Sequence, residues 1–98
     1  MTPEAKVKNK VKNILKMYNA YFLMPRGTAL GRNGIPDIIC CINGRFVGIE
    51  CKAGKNKPTP LQLYELRLIR DNNGIVAVIN EDNIEVVEVI CKHCLKIS

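Results

Sequence analysis

Apolar residues recur at helical spacing near the start of the chain. Val7, Val11, Ile14, Leu15 and Tyr18 form one stripe, and Lys6, Lys8, Lys10, Lys12 and Lys16 take most of the remaining surface. Thr2-Pro3 opens this helix with a capping hydroxyl and a proline at the first helical position. Ala20 to Met24 reads as a strand or a helix end. Residues 25–34 read as a glycine-rich loop carrying Arg26 and Arg32. Two β-rich runs follow, Ile38 to Ile42 and Phe46 to Ile49, separated by Asn43-Gly44, the strongest short signal for a two-residue type I′ turn. Residues 53–58 form a basic loop. Thr59-Pro60 starts a second helix that runs to about Asn72 and stops at Asn73-Gly74. Ile75 to Ile79 and Ile84 to Ile90 read as strands divided by the polar residues 80–83. The predicted order is α-β-β-β-α-β-β, an α/β domain spanning 1–98 with helices flanking a mixed central sheet, and without repeats or linkers.

The hairpin carries the candidate chemistry. A two-residue turn pairs Ile42 with Arg45, and stepping five residues back along both strands sets Asp37 opposite Glu50. Their Cβ atoms would then lie roughly 4.5–5.5 Å apart. Lys52 is two residues beyond Glu50 and points to the same face. Like charges directly opposed in a ladder are destabilising, and a divalent cation between them removes the penalty. Two carboxylates, a hard metal and a neighbouring lysine suit hydrolysis of a phosphodiester, with the backbone carbonyl of Cys51 as a further oxygen donor. The bland alternative is that Asp37 is a strand-entry residue and Glu50 and Lys52 an exposed strand edge. The apolar surroundings of Glu50, and the absence of charge in residues 38–42, weigh against it. Glu4 lies three residues before Val7, on or beside the apolar stripe, either complementing the helix N-terminus or pointing toward the metal. Gln62 completes a capping box with Thr59, and spacing alone favours that role.

Charge adds a partner. The net charge is +6. Residues 1–36 hold seven Lys and Arg against Glu4 alone, whereas residues 37–98 hold eight of each sign, so the excess lies in the first third. Such a surface can neutralise phosphates or can simply be a soluble lysine-rich helix. Lys6, Lys10, Arg26, Arg32, Lys55 and Lys57 are the candidate DNA contacts. No apolar run is long enough to span a membrane and the N-terminus lacks a signal-peptide stretch, so the cytoplasm is the expected compartment. Five cysteines without a secretion signal imply reduced thiols. Cys40, Cys41 and Cys51 read as small core residues. Cys91-Lys92-His93-Cys94 has the look of half a zinc site without a second half, and is expected to be an unmetallated tail.

Together, Pro36-Asp37 and Glu50-Cys51-Lys52 resemble the signature of the PD-(D/E)xK nucleases. The glycine-proline lead, the hairpin length and Gln62 after a Thr-Pro helix start resemble the VRR-NUC family in its stand-alone phage form. The resemblance runs from the first helix to about Val89. It implies a restriction-endonuclease-like core in which Asp37 and Glu50 bind Mg²⁺ or Mn²⁺, Lys52 is catalytic, Gln62 assists, and Glu4 is the one acid available before Asp37 to join the metal shell. It further implies a structure-selective endonuclease for branched DNA, resembling Holliday-junction resolvases that work as homodimers. A monomeric flap or nicking nuclease, a non-catalytic DNA-binding accessory domain and an RNA-binding protein are the competing expectations.

Overall fold

The computed structural model describes residues 1–26 and 31–98; part of the glycine-rich loop expected over 25–34 therefore lies outside the described residues. Helix α1 spans Pro3–Met17, and the Thr2 hydroxyl accepts the Ala5 N–H at 3.1 Å as the sequence pattern requires. Strand β1 (Tyr21–Leu23) resolves the ambiguous segment after it. Strands β2 (Ile38–Ile42) and β3 (Arg45–Cys51) form the expected hairpin, with Ile42 opposite Arg45. Asn43 and Gly44 both have positive φ, 50° and 81°, as a type I′ turn demands. Helix α2 (Pro60–Asp71) then crosses to β4 (Ile75–Ile79), which pairs in parallel with β3. The sheet order is β1-β2-β3-β4, with the first two pairings antiparallel.

The last expected strand does not form. Ile84 to Ile90 is rich in β-branched residues, yet this stretch enters helix α3 (Glu85–Leu95). Its buried residues, Val87, Ile90, Cys91 and Cys94, recur at helical spacing, and burying that stripe outweighs a modest β preference. Ile84 at the cap makes no side-chain cap hydrogen bond, so the usual start signal was missing. Cys91 and Cys94 are accordingly core residues rather than part of a tail, and all five cysteines are free thiols.

Alternation along the hairpin divides the sheet into two faces. Ile38, Cys40, Ile42, Val47, Ile49 and Cys51 pack in one core with Val7, Val11 and Leu15 of α1 and the buried face of α3. The other face receives α2, which approaches closely: a Cβ on Gly48 would lie 2.8 Å from Ile69 Cδ1. Three layers result. No helix among the described residues is long and apolar enough to cross a membrane.

Candidate active site

The ladder between β2 and β3 runs from Ile42–Arg45 to Ile38–Ile49. Asp37 stands one position beyond it, opposite Glu50. Continuing the register would set Pro36 against Cys51, but proline has no N–H to donate to the Cys51 carbonyl. The side chain of Asp37 closes this end of the ladder instead: the Cys51 N–H donates to Asp37 Oδ2 at 2.8 Å. One proline thus fixes the approach of Asp37 and withholds from the Cys51 carbonyl its β2 donor. Upstream, Gly34 has φ +84° and a Cβ there would fall 2.7 Å from Leu61 Cγ, so the lead into Pro36-Asp37 requires glycine.

Glu50 is 2% exposed, a burial unusual for an acid. Its Oε2 lies 3.6 Å from Lys52 Nζ, while its Oε1 has no hydrogen-bond partner. Burial pushes the Glu50 carboxyl up to about 7; the Asp37 carboxylate pushes the same way, and Lys52 opposes both. A buried, unpartnered carboxylate oxygen facing a second carboxylate is what a cation site looks like before its ion is counted. The donor set of Asp37, Glu50 and the Cys51 carbonyl is all oxygen and fits Mg²⁺ or Mn²⁺.

Helix α1 supplies a residue that sequence reasoning passed over. Lys8 Nζ lies 3.4 Å from Asp37 Oδ1 and 3.7 Å from Glu4 Oε2. Burial pulls the Lys8 ammonium down, but the two carboxylates outweigh it and the group sits above its ordinary value. The available signal was the spacing of Glu4 and Lys8, four apart on one helix flank. Glu4 therefore reaches the neighbourhood of Asp37 through Lys8. Among the described residues no three His, Cys, Asp or Glu side chains gather into a metal-holding cluster.

Gln62 makes both halves of its capping box: its Oε1 accepts the Thr59 N–H at 2.9 Å, and its own N–H donates to Thr59 Oγ1 at 3.2 Å. The side-chain oxygen is thereby committed to the helix start. Lys55 and Lys57 are exposed in the loop leaving β3, which is tied down where the Gly54 N–H donates to Glu81 Oε1 at 2.7 Å. Lys6 and Lys10 are exposed on the flank of α1 opposite Lys8, and Arg26 is exposed after β1. Arg32 is engaged with the buried Glu65 at 3.0 Å.

A cavity of about 660 Å³ lies along α2, lined by Pro60, Tyr64 and Arg67, and one of about 570 Å³ is lined by Asn43, Arg45 and the end of α3, at the opposite end of the hairpin. A substrate as large as DNA needs an open surface rather than an enclosed pocket, so this placement does not count against the carboxylate site.

Comparison with known proteins bears on the fold. Over 54 residues the chain is 39% identical to a protein described as "Putative nuclease p44" from Acyrthosiphon pisum secondary endosymbiont phage 1, a stretch covering 53% of this chain and 58% of that protein. The chain thus spans little more than half of the curated relative it matches. A solved VRR_NUC domain superposes with a TM-score of 0.74 over 95% of this chain and 98% of its own, at 23% identity. No family model matches the chain.

Proposed function

From the fold of a VRR_NUC domain, we propose that this chain is a divalent-metal-dependent endonuclease that hydrolyses DNA phosphodiester bonds. The observation that carries the reading is the buried Glu50 beside the half-buried Asp37, with Glu50 Oε1 unpartnered and Lys52 Nζ 3.6 Å from Glu50 Oε2. Mg²⁺ or Mn²⁺ held by Asp37, Glu50 and the Cys51 carbonyl would activate a water and offset charge on the scissile phosphate. Asp37 stays oriented by the Cys51 N–H, and Glu50 is held rigid by the β3–β4 pairing. Lys52, 14% exposed, presents an ammonium at the edge of the site, where it orients the attacking water or stabilises the developing negative charge. Gln62 lies at the start of α2, on the face of the sheet that carries Glu50; its amide nitrogen is the group free to assist, since its oxygen serves the cap.

Lys55 and Lys57 extend positive charge outward from Lys52, and Lys6, Lys10 and Arg26 add exposed charge elsewhere. Phosphate contacts of this sort read backbone and shape rather than base sequence. We assign the protein to branched DNA on that basis, acting as a homodimer: resolving a four-way junction takes two cuts related by two-fold symmetry, and a C2 dimer supplies two such sites. The relative's description as a nuclease supports the chemistry.

The test is cleavage of a labelled immobile four-way junction beside linear duplex, flap and single strand, with Mg²⁺, Mn²⁺ or EDTA and an Asp37→Ala control. Paired symmetric nicks requiring metal and Asp37 support the full reading. Metal-dependent cutting of the flap alone retains the chemistry and removes the dimeric resolvase. Binding without cleavage of any substrate favours the accessory-domain alternative.

A further inference from the structure

Lys8 is the feature that the proposed chemistry does not use. It is 31% exposed, it comes from a different element than the carboxylates of the hairpin, and its ammonium lies between Glu4 and Asp37 at 3.7 and 3.4 Å. The other lysine and arginine ion pairs with α2 or α3 acids, Arg32–Glu65, Arg70–Asp71 and Lys92–Glu88, lie outside this site. We propose that Lys8 is a built-in counter-ion that competes with the divalent cation for Asp37 and so sets the metal affinity of the site. The inference rests on the metal-binding reading above and adds to it a residue that acts against binding.

The charge balance gives the reason. Lys8 pairs with Glu4 and Asp37, and Lys52 with Glu50, so with Glu50 ionised, as a bound cation requires, three carboxylates meet two ammonium groups in this neighbourhood. With Lys8 in place, the excess negative charge is about half of what a divalent ion would balance. With Lys8 withdrawn, the two match. Lysine suits such a task because its charge is a compact point on a flexible four-carbon stem. Asp37 loses no anchor when Lys8 leaves, since its other oxygen remains on the Cys51 N–H. A released ammonium also has a ready second partner in any DNA phosphate lying over the site.

The experiment is a Mn²⁺ titration of metal-stripped protein followed by electron paramagnetic resonance, without DNA. Wild type is compared with Lys8→Met, which keeps the apolar stem, with Lys8→Arg, which keeps the charge, and with Asp37→Asn; far-UV circular dichroism checks that each is folded. Lys8→Met should bind Mn²⁺ about fivefold more tightly at low ionic strength, the size expected when a part-exposed ion pair no longer has to be displaced. The gain should shrink in high salt, where Coulomb interactions are screened. Lys8→Arg should stay near wild type. Unchanged or weaker binding by Lys8→Met, with wild-type binding that depends on Asp37, overturns this inference alone. Wild-type protein that binds no more Mn²⁺ than Asp37→Asn overturns the metal-site reading and this inference with it.

Discussion

Replacing Glu50 with glutamine tests the site without any substrate. Glu50 is buried and its carboxyl is raised from 4.5 to about 7, by burial first and by Asp37 second. A raised acid binds protons more readily in the folded chain than in the unfolded one. Folding stability therefore falls as pH climbs through the window from about 4.5 to about 7, and the loss is complete above it. At about 1.4 kcal/mol per pH unit, that window corresponds to about 3 kcal/mol, with structural relaxation reducing the measured value. Glutamine is close to the same shape and carries no charge. In EDTA at pH 8, Glu50→Gln should thus be more stable than wild type, by roughly 1–3 kcal/mol. Between pH 5 and 8 its stability should lose the downward trend attributable to this residue. Urea unfolding at pH 5, 6.5 and 8 measures both. Saturating Mn²⁺ should cancel or reverse the difference at pH 8, because an ion at a hundred times its dissociation constant contributes about 2.7 kcal/mol to a protein that binds it, and the glutamine variant gives up an ionised ligand. A variant less stable than wild type in EDTA at pH 8, with the same pH trend, would refute the idea that Glu50 is an uncompensated buried charge awaiting a cation.

Further outcomes are expected at neighbouring positions. Lys52→Ala should abolish cleavage while leaving DNA affinity and the circular dichroism spectrum nearly unchanged; retained turnover would remove Lys52 from the chemistry. Gln62→Ala should cost about 1 kcal/mol through the lost capping box, whereas Gln62→Glu should keep that stability because a carboxylate can serve the same cap. A cleavage rate lost in both variants would assign Gln62 to the reaction, and a rate preserved in Gln62→Glu would leave it as a cap. Alkylation of the native protein, followed by mass spectrometry, should modify Cys41 first. Cys41 is exposed, whereas Cys40 and Cys51 are buried with thiols pushed up to about 12 by burial, and Cys91 to about 11. Equal rates at all five would contradict the packing of α3 on the sheet.

The hairpin was legible because its information is local. Asn43-Gly44 dictates a turn type, the turn dictates the register, and the register sets Asp37 opposite Glu50 with Lys52 on the same side. The starts of α1 and α2 were legible for the same reason, since Thr2-Pro3 and the Thr59–Gln62 box are short-range hydrogen-bond patterns. Residues 84–90 were not, because their β-branched composition and their helical burial stripe disagree. That conflict is settled only by what they pack against, here α1 and the face of the sheet. Lys8 was missed because nothing in the chain near it names Asp37, twenty-nine residues away, as its partner. Local sequence thus determined the turn, the caps and the carboxylate pair. Tertiary structure alone decided which charges from distant elements share that site, because Coulomb interactions depend on distances in space, which sequence spacing does not record.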